Sequence, residues 1–515
     1  MTARRRLDRV NLIEMALVIL GLAFLGLLFL DSYREPSVPL AFSLDASSEG
    51  VEESWSGLYV AEEKIGYSVN RSAPTDAGGL VLQERTRLTL MLLGAPNEVT
   101  LASDVHLAPD GHVERLRSQV RTTVQGVPVT LRAEGVSTQG KGMELSLYQA
   151  GAKLSTIQLD EVPATSATLY RAVVERNPKP GDVFGLPYFN PMSLGSAEAK
   201  VTVVGTESTA TPDGTPVNAF RLRVDNSGQI LSVLVGPDGR RISEEEAEGG
   251  LGMRVLWETQ EDALTKGWPA EGAAPVDLIA LSSIPLDQRL PGGGRDVTRL
   301  VLKVEGPQSV SDLLTRFHGE RWDAETSQLT LERSSQEGAS DYQLPSQDRE
   351  MAHWLRSTAF VQADDPKMVR AAGLVLGDQL QAVHAAELLE SWVYRSLKKV
   401  PVAGVPSATE VLRSKRGDCN EHTTLYTALA RSVGLPTRLA AGIVYSESIF
   451  ADGAFYYHAW PEVWLGDRWL SVDPTFGQYP ADATHLKLVE GELDRQTELM
   501  SVIGRLRLSV VEVSE

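Results

Sequence analysis

The chain contains a single cysteine in 515 residues, Cys419, set in Gly417-Asp418-Cys419-Asn420-Glu421-His422. Downstream come His458 in Tyr456-Tyr457-His458-Ala459-Trp460 and Asp473 in Ser471-Val472-Asp473-Pro474-Thr475. A thiol, an imidazole and a carboxylate are the parts of a thiol acyl-transfer centre, in which the imidazole moves a proton and the carboxylate orients it. Taken alone, each has a plainer reading. A lone cysteine is often a buried, inert core residue, a histidine in an aromatic strand is often packed, and Asp-Pro often marks a turn.

Local pattern places the three groups. Leu425, Ala428, Leu429 and Val433 follow Cys419 on one helical face, with Gly434 as the C-terminal stop before Leu435-Pro436, so Cys419 is expected in the first turn of a helix. Unpaired backbone N–H groups and the positive end of the helix dipole there favour the thiolate and can hold an oxyanion. A strand from Thr437 to Tyr445 follows, and then a hairpin. With Gly466-Asp467 as a two-residue turn, Leu465 pairs with Arg468, Trp464 with Trp469, Glu462 with Ser471 and Trp460 with Asp473. His458 then faces Thr475, which makes His458 and Asp473 diagonal neighbours on one sheet face, about 7–8 Å apart in backbone. Pro461 is a candidate bulge position.

The elements that carry this centre are helical from about Asp348. Asp364-Asp365-Pro366 is an acidic cap with proline at the first helical position, ahead of Met368, Ala371, Ala372 and Leu376. Ala385, Leu388, Leu389, Trp392 and Val393 mark a second helix.

The segments Arg416 to His422, Leu429 to Arg438, His458-Ala459-Trp460-Pro461-Glu462-Val463 and Trp469 to Thr475 resemble, in order and spacing, the bacterial transglutaminase-like superfamily. The resemblance covers about Asp348 to Val489. It implies a papain-like α+β fold and a family that includes cross-linking transglutaminases, peptide N-glycanases and cysteine peptidases. By position it makes Cys419 the nucleophile, His458 the base and acid, and Asp473 its orienting partner. Trp460 and Trp392 are candidates for the oxyanion or substrate side, and Glu421 and His422 for supporting roles beside the nucleophile. Cys419 and His422 are three apart, but zinc ordinarily takes four ligands and the chain has one cysteine, so no metal and no cofactor are expected.

Before this region the period is two. Leu88, Leu90 and Leu92, then Val127, Val129, Leu131 and Ala133, then Phe220, Leu222 and Val224 alternate with polar residues, the pattern of strands with one wet face. Pro109-Asp110-Gly111, Pro212-Asp213-Gly214 and Pro237-Asp238-Gly239 separate such runs and read as hairpin turns. A short helix is expected near Ala167 to Arg176. Glu244-Glu245-Glu246 reads as a solvated loop and Gly292-Gly293-Gly294 as a mobile connection. Leu300, Leu302 and Val304 share one face of a further strand.

The whole is therefore an α+β protein: a C-terminal papain-like, transglutaminase-like domain of helices packed on an antiparallel sheet, preceded by a large antiparallel β domain and one N-terminal transmembrane helix. The expected divisions are 1–11 basic cytoplasmic segment, 12–30 transmembrane helix, 31–50 tether, 51–268 β domain, 269–345 small β segment or inter-domain layer, and 346–515 catalytic domain. The apolar run Leu12 to Leu30 has Glu14 as its one charge and would rise about 28 Å as a helix. Arg4, Arg5, Arg6 and Arg9 place its N-terminal side in the cytoplasm and the body outside it, as in a single-pass protein of a bacterial inner membrane with a periplasmic body. A cleaved signal peptide is the competing reading. The formal charge of -19, with 49 basic against 68 acidic residues, excludes the basic stripe of a nucleic-acid binder. The expected partner is a protein or peptide substrate. A binding or scaffold protein that works through its β domain, with an inactive thiol domain, is the alternative.

Overall fold

The computed structural model describes residues 42–515 except 93–94, 125–126, 139–141, 150, 191–194, 227, 248–249, 266–275, 401–406, 493–494, 496–497, 500–501 and 503. The proposed membrane segment 12–30 lies outside the described residues, among which no helix is long and apolar enough to cross a membrane.

The period-two region forms β1 (Glu52–Val60), β2 (Glu63–Pro74), β3 (Leu80–Leu92), β4 (Ala95–Leu107), β5 (Val113–Val124), β6 (Val127–Ser137), β7 (Met143–Gln149), β8 (Ala152–Leu159), β9 (Val183–Asn190), β10 (Gly195–Ala210), β11 (Pro216–Asn226), β12 (Gln229–Val235), β13 (Arg241–Glu246) and β14 (Met253–Glu258). They make one 14-stranded antiparallel sheet in the order β8 to β1, then β14 back to β9. All three Pro-Asp-Gly turns are hairpin turns, between β4 and β5, β10 and β11, and β12 and β13. Gly111, Gly214 and Gly239 there have φ of 86°, 85° and 81°, which explains the glycine at each. Leu222 and Val224 are buried in the apolar cluster of the second half of the sheet.

The sheet curls. Between its two edge strands lies α1 (Leu169–Val174), inside the stretch expected to be helical, and Ala164 bonds to the backbone of Pro187 and Phe189 on β9. Phe189 packs in the same apolar cluster as Met143, Leu145 and Leu147 of β7, so the two edges approach each other. Ala359 and Phe360, from far along the chain, pack against that cluster as well.

One loop expectation is corrected. Glu244 to Glu246 lie in β13, where Glu244 accepts a hydrogen bond from Tyr170 Oη at 2.7 Å and pairs with Arg241 at 3.1 Å. Partners outside the run make a triple-acid segment compatible with a strand. Gly292 to Gly294 form part of a short 3₁₀ turn, and a Cβ on Gly294 would meet the Tyr445 ring at 2.9 Å.

After α2 (Gln260–Thr265) and α3 (Leu278–Leu281) the chain builds a layered unit. Short strand β15 (Ile284–Pro285) leads to β16 (Arg299–Glu305), α4 (Gln308–His318), β17 (Trp322–Asp323) and β18 (Gln328–Glu332). Leu300, Leu302 and Val304 are buried, as expected for one face of β16. Helices α5 (Pro366–Leu376) and α6 (Ala382–Ser396) follow, then β19 (Lys398–Lys399), α7 (Ala408–Ser414), β20 (Arg416–Gly417) and α8 (Cys419–Ser432). The remaining strands are β21 (Thr437–Ser446), β22 (Ala454–Trp464), β23 (Trp469–Ser471), β24 (Leu486–Glu490) and β25 (Arg507–Ser514). Asp365 caps α5 by accepting from Lys367 N, with Pro366 behind it, as read from the sequence.

Strands β15, β22, β21 and β24 form the central sheet, with β23 on β22. Helices α5 to α8 bury Met368, Ala372, Ala385, Leu389, Val393, Leu425 and Leu429 in one cluster with Leu439, Val463 and Leu470 of that sheet. A second cluster joins Ala441, Ile443, Phe455 and Leu486 to β16, β18 and α4. The C-terminal strand β25 pairs with β16, so residues near both ends of this unit share one sheet.

Candidate active site

Asp418 closes a capping box on α8. Its carboxylate accepts from Asn420 N at 3.2 Å, and Glu421 Oε2 accepts from Asp418 N at 2.9 Å. Gly417 makes room for this, since a Cβ there would lie 2.1 Å from Glu421 Cβ. Cys419 is thereby held in the first helical turn, half-buried and free.

The helix is tied to β22 at Ala459. Thr423 Oγ1 on the same helix face donates to the Ala459 carbonyl at 2.9 Å, and the Ala459 backbone N–H lies close enough to the Cys419 sulfur to pull its thiol downward. Ala459 is the chain neighbour of His458, so Cys419 is tied to the residue next to the imidazole.

The hairpin register agrees with the sequence reading through Trp464 to Trp469, Val463 to Leu470 and Glu462 to Ser471, and Gly466 has φ of 86°. Pro461 carries no bulge on its inner side, where it pairs with Leu439. The ladder then ends. Val472 N still reaches Pro461 O, but Asp473 enters a turn closed by Gln478, so Trp460 does not pair with Asp473 nor His458 with Thr475. The physical reason is Pro474, which has no N–H to extend a ladder. Asp473 nonetheless reaches His458, with Nε2 donating to Oδ2 at 2.9 Å.

Asp473 is fully buried. Its Oδ1 accepts from the backbone N–H of Thr475 at 2.7 Å and of Phe476 at 3.0 Å. Its Oδ2 accepts from a second imidazole, His485 Nε2 at 3.0 Å, and His485 Nδ1 faces Asp482 Oδ1 at 3.2 Å. Burial would raise the Asp473 carboxyl, but the His458 and His485 imidazoles outweigh it and hold it well below the ordinary carboxylate range. For His485, burial opposes the charge, while Asp482 and Asp473 prevail and raise it to about 10. The imidazolium is therefore the resting form of His485.

With Nε2–H committed to Asp473, the neutral His458 ring carries its lone pair on Nδ1, which is buried without a hydrogen-bond partner. The ring stacks on Phe476, with centroids 5.0 Å apart, and lies near-parallel to Trp460 at 6.2 Å. Aromatic walls fix its plane.

The Cys419 thiol departs from the sequence reading. Burial, then the charge of Asp418, with Glu421 and Asp473 adding to it, push the thiol well above its ordinary range against the pull of the Ala459 hydrogen bond. The helix terminus does not deliver a standing thiolate, because the residue that caps the helix is itself an anion beside the sulfur.

Of the other expected residues, Trp460 is buried at the site, with its Nε1 unpartnered and its ring 5.1 Å from that of His485. Trp392 is covered by Lys415 Nζ at 3.9 Å and packs on the helical core. Glu421 is the capping partner just described. His422 is buried, with Nδ1 bonded to Asp418 O at 2.6 Å and Nε2 unpartnered, so it supports the first turn of α8.

The sequence reading missed His485, Asp482 and Glu390. His485 and Asp482 stand in Asp482-Ala483-Thr484-His485, a polar run whose only signal was its closeness to Asp473. Glu390 on α6 is buried with Oε1 unpartnered, and burial followed by the charge of Asp473 raises it to about 7. One ligand atom from each of His458, Asp473 and His485 lies within 4.8 Å of the others. Both imidazoles direct an Nε2–H at the one carboxylate oxygen, and a protonated nitrogen has no lone pair for a metal.

Residues 370–474 match the sequence model of the transglutaminase-like superfamily, a family of cysteine-dependent enzymes, and Cys419, His458 and Asp473 all lie within the match. This part of the chain is a transglutaminase-like domain. Among solved structures the chain is similar to a candidate cysteine protease from Cytophaga hutchinsonii, at 16% identity over 36% of this chain and 62% of that one, with a TM-score of 0.28. It is also similar to a β-barrel-like protein of domain of unknown function DUF1849 from Brucella abortus, at 12% identity over 40% of this chain and 94% of that one, with a TM-score of 0.31. A third is the periplasmic domain of TgpA from Pseudomonas aeruginosa, bound to ethylmercury, at 22% identity over 26% of this chain and 50% of that one, with a TM-score of 0.20. The chain thus spans less than two thirds of the length of the first of these. No curated protein matches it.

Proposed function

We propose that Cys419, His458 and Asp473 are the nucleophile, base and orienting carboxylate of a thiol acyl-transfer enzyme acting on protein or peptide amides. The observation that carries this reading is His458, whose Nε2 is held by Asp473 and whose buried Nδ1 has no partner, next in the chain to Ala459, which binds Thr423 one turn along the helix from Cys419. His458 Nδ1 takes the thiol proton as sulfur attacks the amide carbonyl. The same proton goes to the departing amine or ammonia as the C–N bond breaks, leaving a thioester on Cys419. Water releases the acid, or a second amine takes the acyl group.

The reading also places the body outside the cytoplasm, tethered through residues 12–30, on the strength of the flanking arginines. Alkylation of Cys419 by iodoacetamide tests the centre. His458→Ala slows it by at least about tenfold if the imidazole serves the thiol, and an unchanged rate removes the proposal. Casein with a labelled primary amine then reports the acceptor, as fragments for hydrolysis or incorporated label for transfer, and Cys419→Ala abolishes either signal.

A further inference from the structure

We infer that His485 is a positioning residue of this centre, sharing one oxygen of Asp473 with His458 and placing a permanent buried cation beside the pair. The inference rests on the triad reading and adds a residue outside it. The His458 and His485 rings stand edge to face, with centroids 5.8 Å apart, and both Nε2 atoms reach Oδ2 of Asp473, at 2.9 and 3.0 Å. On its far side His485 is held by Asp482, whose Oδ1 also accepts from Thr484 N at 2.9 Å and whose Oδ2 accepts from Gln478 Nε2 at 2.6 Å. Both ring nitrogens of His485 are thus donors to anions.

The chain of groups His458, Asp473, His485, Asp482 alternates base, anion, cation, anion inside the protein. Two consequences follow from elementary electrostatics. Asp473 is gripped from two directions, so its carboxylate cannot rotate away from His458. The His485 cation also offsets the negative charge that Asp473, Asp418 and Glu421 direct at Cys419, and in a buried site that offset is screened little. The other titratable groups near the centre are Glu390 on α6, Lys399, and His422 on α8, each of which feels Asp473, together with Tyr456 and Tyr457, which feel the thiol. Among these, His485 is the cation in direct contact with the Asp473 carboxylate.

The test is the pH profile of Cys419 alkylation by iodoacetamide in the full chain, with folding checked by circular dichroism. His485→Gln keeps a donor toward Asp473 but removes the cation, and the midpoint is expected to rise by on the order of one pH unit. His485→Lys keeps a cation at that position, and the midpoint is expected to stay within about half a pH unit of wild type. A purely structural role loosens the site in both variants and does not separate them by charge. Equal shifts in both, or no shift in either while His458→Ala still slows the reaction, overturn the role of His485. An unchanged reaction in His458→Ala overturns the triad itself, which keeps the two failures apart. If one variant does not fold, the other decides alone: an unmoved midpoint in His485→Gln, or a midpoint raised by about a full unit in His485→Lys, overturns the inference.

Discussion

Gly442 lies directly opposite His458 in the β21–β22 ladder, and a Cβ on Gly442 would stand 2.0 Å from the carbonyl oxygen of Leu486 on β24. The absence of a side chain at this one position lets β24 close on β21 beside the residue that carries the imidazole, and it brings His485, which precedes Leu486, onto Asp473. Gly442→Ala must push β24 outward. The expected cost is about 1–3 kcal/mol of stability, read by denaturant unfolding, together with slower alkylation of Cys419.

Asp473→Asn tests the shared carboxylate. The substitution leaves His485 charged with only Asp482 to balance it, and breaking a buried pair of this kind costs about 3–5 kcal/mol. Because folding depresses the Asp473 carboxyl, its contribution is present above its ordinary value of 3.8 and is lost as pH falls below it. The stability difference between wild type and variant therefore shrinks toward acid pH, which urea midpoints measured across that range will show.

Glu390 works in the opposite sense. Raised to about 7, it binds a proton more tightly folded than unfolded, so its contribution is present below its ordinary value of 4.5 and disappears as pH rises through about 7. Between about pH 5 and pH 8 the wild type should lose up to about 3 kcal/mol from this group. Glu390→Gln should flatten that part of the stability profile, a result that thermal melts at the two pH values settle.

Asp418 both caps α8 and opposes ionisation of Cys419. Asparagine caps a helix about as well as aspartate, so Asp418→Asn should leave stability within a few tenths of a kcal/mol of wild type. With the anion beside the sulfur gone, the alkylation midpoint falls, and at neutral pH the rate rises by up to about tenfold.

How much of this was legible in the sequence differs by length scale. Short-range features were: the Asp365-Pro366 start of α5, the three Pro-Asp-Gly hairpins, and the Gly466-Asp467 register as far as Ser471 all follow from local backbone chemistry. The pairing of β1 with β14 joins residues about 200 positions apart, and no local pattern encodes it. The thiol was misjudged because the helix dipole is a feature of every helix, whereas the balance at Cys419 depends on burial and on which neighbours carry charge. His485 and Glu390 carry no motif. Their meaning lies in convergence on Asp473 from β24 and α6, which exists only once the chain is folded. Glu244 was read as solvated because its partners, Tyr170 and Arg241, come from a helix and a strand end that the run itself does not contain.

The long sheet has a mechanical consequence. The chain enters it by β1 and leaves by β14, and these two strands are antiparallel neighbours at its centre, with Trp55 opposite Glu258. Entry and exit therefore lie at the same end of the same pair. A pull between a point upstream of β1 and one downstream of β14 would load that pair as a zipper, opening one backbone bond at a time, where a sheared pair would resist with all of them together. Ser43 and Leu44 are bonded to Gln83 and Arg71 ahead of β1, so those ties give way before the seam opens.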